Sequence, residues 1–376
     1  MQRTRKIMHL STVHPSSDTR IFHREVKSLA EAGYDVVLLA QESIRKQPYM
    51  AQPNNIKVYT LPKPRNRLHR VIGFPLKALK LAIKENADIY HFHDPELIPV
   101  GLFLRLLGKK VIYDVHEDFP RQILSKYWIP FFLRSIIAKL AALMEWIAGR
   151  LMSGIVVANP GTAKRFPLQK TIVLQNFPLL SEFVTTSSRP YDERPMRVAY
   201  VGGISLIRGA AVMVRAMELL PEHLQTQLVL VGTFSPPQLK ESLQKLKGWK
   251  YVNFVGWQDR RNISRILEST RIGLVVLQPV PNYLNNYPVK LFEYMAAGIP
   301  VVASDFPHLK EIIAGVGCGL TVEPSNPEAV AEGIRWLLEH PNEAREMGRR
   351  GRKAVLEKYN WDKESEKLLG LYQKLL

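Results

Sequence analysis

The chain alternates short apolar segments with amphipathic helical segments, and the pattern runs twice along its length. Apolar runs of this kind are typical of strands buried on both faces of a sheet. Strands that alternate with helices predict right-handed βαβ units and a parallel sheet. In the first half the predicted strands are 6–11, 35–40, 88–93, 110–115, 154–158 and 171–175, and the predicted helices are 20–33, about 71–85 and a segment between Pro95 and Gly108.

The alternation of strand and helix segments is interrupted at residues 181–196, where serine, threonine, proline and charged residues predict a linker. The alternation resumes after residue 196. The fold class is therefore α/β, with two tandem doubly wound Rossmann-like domains, 1–180 and 197–360, facing a cleft. Helix 361–376 is expected to pack back on the first domain. Ligands of such folds bind at the carboxyl edges of the strands. Predicted strands of the second half are 197–202, 227–232, 251–255, 272–277, 299–304 and 318–322, and the last helices are 326–340, 342–358 and 361–376.

Charge is distributed unevenly. The net charge of the chain is +18. Residues 1–180 hold 27 Lys and Arg against 13 Asp and Glu, a net charge of +14, and residues 181–376 carry the remaining +4. Such a surface suits anionic lipid headgroups, nucleic acid or a phosphorylated substrate. The single cysteine, Cys318, excludes an internal disulfide framework and fits a reducing compartment. The sequence shows no signal peptide and no apolar run long enough for a membrane span.

Two segments of the second half predict a phosphate and sugar site. Gly202 and Gly203 follow a strand, so backbone can approach a ligand closely there, and Arg208 can bind phosphate through its forked guanidinium. The alternative is a tight strand exit without a ligand. At the start of a later helix, Lys290 and Glu293 lie one turn apart. A cation at a helix N-terminus favours phosphate, and the carboxylate can reach the hydroxyls of an attached sugar.

Three polar segments of the first half follow predicted strands. In H-P-S-S-D-T-R (14–20), Asp18 is either a helix N-cap or part of a loop that faces the acceptor. In H-F-H-D-P-E (91–96), the two histidines suggest a metal, but no third ligand has a matching spacing, so we predict a polar acceptor-side contact by Asp94, which also suits an N-cap before Pro95. His116 is either a structural histidine or a hydrogen-bond donor to the transferred group.

Residues 126–152 form a long helical segment with a wide apolar and aromatic face. Arg134, Lys139 and Arg150 lie on its polar side, and Tyr127, Trp128 and Trp146 are suitable for a membrane interface. The segment therefore predicts either an interfacial helix on anionic lipid or a packing face within the domain.

Taken together, these motifs resemble the family 4 glycosyltransferases, retaining enzymes of the GT-B fold. The resemblance covers nearly the whole chain and is best in P-V-K-L-F-E-Y-M-A-A-G-I-P-V-V-A-S, G-C-G-L-T-V-E-P and the terminal Y-N-W helix. D-T-R-I-F-H-R-E, H-D-P-E-L and Y-D-V-H-E-D look most like the branch that makes bacterial surface polysaccharides, such as capsule and exopolysaccharide.

The resemblance implies roles for individual residues. Glu293 matches the second of the two family glutamates and would bind the donor ribose, while Asn285 stands at the first glutamate and would contact the donor sugar through its amide. Arg208 takes the place of the family lysine in the glycine-rich turn. Gly203 stands where the family has an arginine, so Lys290 would supply the missing diphosphate cation. His116 matches the active-site histidine.

The sequence-based prediction is a retaining, metal-independent hexosyl- or N-acetylhexosaminyltransferase. It would use a nucleotide-diphosphate sugar, with a UDP-sugar favoured, and a lipid-linked or glycan acceptor. The basic first domain predicts docking to an anionic membrane surface on its cytoplasmic face, without nucleic acid as a partner. Two alternatives are a sugar-nucleotide epimerase of the same fold and a non-enzymatic basic protein that binds nucleic acid. The latter predicts aromatic residues among the basic ones, and residues 62–70 contain none.

Overall fold

The structure is a computed structural model, and it describes residues 4–43, 53–116, 118–125, 129–183, 189–280, 283–284 and 287–376. The chain divides into two compact units. The first comprises Met1–Asn176 together with Lys363–Leu376, and the second comprises Phe177–Asp362. Both are α/β units built on parallel sheets, as the alternation of strands and helices predicts.

The first unit contains a seven-stranded parallel sheet in the order β3-β2-β1-β4-β5-β6-β7. Its first six positions follow the doubly wound order that places ligands beside the strand where the winding reverses, here between β1 and β4. The strands are β1 (Lys6–Pro15), β2 (Asp35–Gln41), β3 (Ile56–Leu61), β4 (Ile89–Phe92), β5 (Lys110–Val115), β6 (Gly154–Val157) and β7 (Thr171–Val173).

The helices of the first unit pack against this sheet. The predicted helix 20–33 begins with a π-helical segment, Ile21–Val26, in which the Glu25 N–H donates to the Arg20 carbonyl at 3.0 Å. This wider turn brings the Arg20 and Glu25 side chains together, with 2.9 Å between Nε and Oε1. The α-helices are α1 (Lys27–Glu31), α2 (Phe74–Glu85), α3 (Ile98–Leu106), α4 (Phe119–Ser125), α5 (Phe131–Leu151) and α6 (Pro160–Ala163).

The second unit repeats the plan with a six-stranded parallel sheet in the order β10-β9-β8-β11-β12-β13. Its strands are β8 (Arg197–Val201), β9 (Gln227–Val231), β10 (Val252–Gly256), β11 (Ile272–Val275), β12 (Val301–Ser304) and β13 (Gly319–Val322). Its helices are α7 (Ala210–Glu218), α8 (Leu239–Gln244), α9 (Arg260–Glu268), α10 (Val289–Ala296), α11 (Pro307–Val316), α12 (Pro327–Glu339) and α13 (Pro341–Glu357).

The last helix, α14 (Trp361–Leu375), begins in the second unit and continues into the first. Within the first unit, the Glu364 carboxylate accepts a hydrogen bond from the Gln175 N–H at 2.8 Å. Tyr372 is completely buried and contacts His91 and His9 through its hydroxyl, at 2.7 and 3.2 Å. The helix thus completes the core of the first unit.

The described part of the predicted linker 181–196 packs against the second unit. The boundary between the units lies at Asn176 and Phe177, because Phe177 is buried against Phe292 and Tyr359. Phe183 and Tyr191 are buried as well, so their apolar rings hold the segment in place despite its polar composition. Residues 184–188 lie outside the described part of the chain.

No described helix has both the length and the apolar character that would be needed to cross a membrane.

Candidate functional site

The turn after β8 brings two glycines against two cations. Gly202 has φ of 129°, a conformation that favours glycine. A Cβ atom would lie 3.2 Å from Lys290 Nζ at Gly202 and 2.8 Å from Arg208 Nη1 at Gly203. The Tyr200 hydroxyl donates to the Gly203 carbonyl at 2.7 Å and fixes the turn. The turn after β8 therefore brings together four of the predicted site residues, which are Gly202, Gly203, Arg208 and Lys290.

Lys290 lies in the first turn of α10, and its ammonium is enclosed without a hydrogen-bond partner in the described part of the chain. Nζ lies 3.5 Å from the centroid of the Tyr200 ring, which gives it only a cation–π contact. Burial, with Arg208 nearby, lowers the pKa of Lys290 well below the usual value for lysine. An enclosed cation beside a second cation and a helix N-terminus is suited to bind an anion.

Arg208 is held in position by its neighbours. Its Nε donates to the Tyr283 hydroxyl at 3.1 Å, and Nη1 donates to the Gly203 carbonyl at 3.4 Å. Arg208 and Lys290 together can neutralise the charge of a diphosphate.

Glu293 lies one turn after Lys290 on α10 and is almost completely buried. Its carboxylate accepts a hydrogen bond from Arg260 Nη1 at 2.6 Å, and Arg260 Nη2 donates to Glu182 at 2.6 Å. Sequence reasoning missed Arg260, which lies 33 residues from Glu293 in a segment with several charges. Asn285, the predicted contact to the donor sugar, lies outside the described residues and stays a prediction.

In the first unit, His116 belongs to a buried network around Asp114. Asp114 Oδ2 lies 3.2 Å from both His116 Nε2 and His93 Nδ1, and the Arg20 guanidinium donates to both carboxylate oxygens at 3.0 and 3.1 Å. Burial opposes ionisation of Asp114, but Arg20 and His116 outweigh it and hold its pKa well below the usual range. The carboxylate therefore orients the His116 ring, which is itself partly exposed.

The structure places Asp94 against the end of β1. Its Oδ2 accepts hydrogen bonds from Ser11 Oγ at 2.8 Å and from the Thr12 N–H at 2.6 Å. Asp94 stands at the N-cap position before Pro95, as predicted, but its carboxylate bonds to β1 and makes no capping hydrogen bond to the helical turn. An acceptor-side role for Asp94 stays a prediction.

Asp18 Oδ1 accepts hydrogen bonds from the backbone N–H groups of Arg20 and Ile21, at 2.8 and 2.9 Å. This is the geometry of an N-cap, one of the two roles that its position predicted. Oδ2 lies 3.2 Å from His14 Nδ1. Burial alone would raise the pKa of Asp18, but the hydrogen bond and the charge of His14 outweigh burial and lower this pKa. Its acceptor-side role stays a prediction.

Comparisons with known proteins agree with this architecture. Residues 19–166 match the family described as Glycosyltransferase Family 4, and residues 186–354 match Glycosyl transferases group 1. An uncharacterized glycosyltransferase of Methanocaldococcus jannaschii is 27% identical over 183 residues, which cover 48% of this chain and 45% of that relative. D-rhamnosyltransferase WbpZ of Pseudomonas aeruginosa is 24% identical over 300 residues, 74% of this chain and 71% of that relative.

Solved structures share the fold over almost the whole chain. Sucrose-phosphate synthase of Thermosynechococcus elongatus has a TM-score of 0.78 at 20% identity and covers 99% of both chains. HepE of Anabaena, in complex with UDP and glucose, has a TM-score of 0.74 at 14% identity and covers 98% of this chain and 100% of that chain. The two Rossmann-like units are thus those of a GT-B glycosyltransferase. Within that class, the chain belongs to the family 4 glycosyltransferases.

Proposed function

We propose that this glycosyltransferase moves a hexosyl or N-acetylhexosaminyl group, with retention, from a nucleotide-diphosphate sugar to a glycan acceptor. The observation that carries the donor assignment is the pair Arg208 and Lys290 against the Gly202–Gly203 turn. Two cations and a helix N-terminus provide the field that a diphosphate needs, and glycine leaves room for its oxygens. A UDP-sugar is the favoured donor, and the HepE structures with UDP support that choice by fold similarity.

Glu293 would bind the ribose hydroxyls of the donor. In the structure the Arg260 guanidinium forms an ion pair with the Glu293 carboxylate, and it also has Glu182 as a partner. The guanidinium can therefore stay paired with Glu182 while Glu293 accepts hydrogen bonds from the ribose. A carboxylate that is held ready by an ion pair costs little to orient when the donor binds.

During transfer, the bond between the sugar and the diphosphate breaks, and negative charge accumulates on the leaving phosphate. Arg208 and Lys290 would stabilise that charge without a metal ion. The acceptor hydroxyl would attack from the same face and pass its proton to the leaving phosphate. His116, oriented by Asp114, would donate a hydrogen bond to the transferred sugar.

The donor assignment is tested with Glu293→Gln, which keeps the shape of the side chain. We expect the KM for the donor sugar to rise at least about tenfold, because a hydrogen bond to a charged group is lost. Thermal shift with UDP-, GDP- and dTDP-sugars selects the donor for this measurement. Glu311→Gln on the exposed side of α11 is the matched control. An unchanged KM in Glu293→Gln would remove the ribose assignment, and sugar-nucleotide conversion without acceptor would indicate an epimerase.

The acceptor is proposed to be lipid-linked, with the enzyme on the cytoplasmic face of a membrane and a role in surface polysaccharide synthesis such as capsule or exopolysaccharide. Helix α5 supports this proposal. Small residues, Ala138, Ala141, Ala148 and Gly149, form its buried side, while Phe131 and Phe132 are 85% and 74% exposed. Its one carboxylate, Glu145, is buried, so Arg134, Lys139 and Arg150 leave the outer face positive. Tyr127 and Trp128 lie outside the described residues.

Membrane docking predicts that the protein floats with vesicles that contain anionic lipid and is released by salt. The double variant Phe131→Ser/Phe132→Ser should lose most of this binding, since it removes the two most exposed rings of α5. Leu219→Ser/Leu356→Ser, which changes two exposed leucines of the second unit, should float like the wild type. Equal binding to neutral vesicles, or equal flotation of both double variants, would contradict the proposal.

A further inference from the structure

We propose that the first unit binds one zinc ion in its core, through His9, His91, His93 and Glu25. One ligand atom from each of these residues lies within 4.8 Å of the others, and all four side chains are buried. The sequence motif H-x-H lacked a third ligand of matching spacing. The fold supplies two further ligands, which are His9 from β1 and Glu25 from the π-helical segment.

Strand pairing creates the cluster. His9 on β1 is the direct partner of His91 on β4, and His93 follows two residues later, so the three rings gather where the pairing of these two strands ends. His9 Nδ1 lies 2.9 Å from His93 Nε2, and Glu25 Oε2 lies 3.9 and 4.0 Å from those two atoms. Ligand atoms around a tetrahedral zinc ion are about 3.3 Å apart, so small shifts would complete the geometry.

Each imidazole has an outer partner on its other nitrogen. His93 Nδ1 lies 3.2 Å from Asp114 Oδ2, while the Tyr372 hydroxyl lies 2.7 Å from His91 Nδ1 and 3.2 Å from His9 Nε2. Such partners fix the ring orientation and the tautomer of metal-binding histidines.

Two polar groups of this cluster make no hydrogen bond to the described residues. They are His91 Nε2 and the Glu25 carboxylate, although Arg20 Nε approaches Glu25 Oε1 at 2.9 Å as an ion pair. A buried carboxylate oxygen without a partner is costly. A chain of hydrogen bonds can run from Tyr372 through His9 and His93 to Asp114. It would give the other polar atoms of the cluster a partner but would leave His91 Nε2 and Glu25 Oε2 without one.

Three imidazoles and one carboxylate favour zinc over magnesium or calcium, which prefer oxygen ligands. The protein would supply all four ligands, so the ion would be structural and would take no part in the transfer. It would join β1, β4 and the π-helical segment, and Tyr372 would extend the contact to α14. Because the cluster is closed to solvent, the ion would enter during folding.

The test is the metal content of the native protein, purified without a histidine tag and dialysed against a chelator. Elemental analysis should find about one zinc per chain in the wild type. Glu25→Gln keeps the shape of the ligand and should lose most of the zinc. Tyr372→Phe, which removes only the outer partner, should weaken zinc binding about 10- to 100-fold. His223→Gln in the second unit, where the side chain is exposed, should keep full occupancy.

A second measurement does not depend on a variant. Wild-type protein is unfolded in guanidinium with chelator and refolded with or without zinc chloride. Refolding with zinc should restore one equivalent and raise the thermal midpoint above that of the metal-free protein. A native protein without bound metal that also refolds identically in both conditions would overturn the proposal, and so would zinc that remains at full occupancy in Glu25→Gln. A full equivalent of another metal would overturn the assignment to zinc.

Discussion

Replacing Lys290 with methionine should lower the kcat of sugar transfer at least about 100-fold, because one of two charges that stabilise the leaving diphosphate is lost. The same change should raise the free energy of unfolding of the ligand-free protein by about 1–3 kcal/mol. The ammonium is enclosed beside Arg208 and has no hydrogen-bond partner in the described part of the chain, so methionine removes an uncompensated charge. Activity and stability should therefore move in opposite directions.

Initial rates with saturating donor and thermal unfolding of the ligand-free protein measure the two effects. Lys310→Met is the matched control, since Lys310 is an exposed residue of α11, and it should change neither quantity. A kcat for Lys290→Met within about threefold of the wild type would remove Lys290 from the transition-state charge stabilisation. Loss of stability in that variant would show that the ammonium makes favourable contacts in the free protein.

Replacing Arg20 with methionine should lower the free energy of unfolding by about 3–5 kcal/mol, because it breaks a buried ion-pair network from one side. Asp114 and Glu25 are both completely buried, and Arg20 contacts both of them through Nε, at 3.0 and 2.9 Å. Arg20 Nη1 also donates to the Leu174 carbonyl and to Asn176 Oδ1, so β7 and the end of the first unit would lose support as well.

Urea unfolding monitored by circular dichroism tests this prediction in the transition that includes the first unit. Arg121→Met breaks an exposed pair with Asp118, in which Arg121 is 68% exposed, and should cost less than about 1 kcal/mol. If Arg20→Met costs no more than this surface control, the buried network does not stabilise the fold.

Most of the fold could be predicted because the strands are buried on both faces. Runs such as 35–40 and 227–232 are continuous apolar segments, and they became β2 and β9. The missed strand, β3 (Ile56–Leu61), lies at the edge of the sheet, where only its first and last residues are buried and the exposed positions are Lys57 and Thr60. An edge strand leaves a weaker apolar pattern than a central strand, so no element was predicted for this segment.

The candidate site was predicted only where its residues are close along the chain. Gly202, Gly203 and Arg208 belong to one turn, and Lys290 and Glu293 belong to one helix. Other residues acquire their roles only through contacts with residues far away in the sequence; these are Arg260, Glu25, His9 and Tyr372. Tyr372 lies 281 residues from His91, and its contact depends on the return of α14 to the first unit. No local pattern carries that information.

That return also sets an order of events during synthesis. The first unit contains Lys363–Leu376, so its core lacks Leu368, Leu371 and Tyr372 until the whole of Phe177–Asp362 has been translated. The second unit is therefore synthesised completely before the last helix of the first unit is available to complete that unit's core. The first unit must wait in an incomplete state with His9 and His91 uncovered, and a chain truncated near Asn176 would keep that gap permanently.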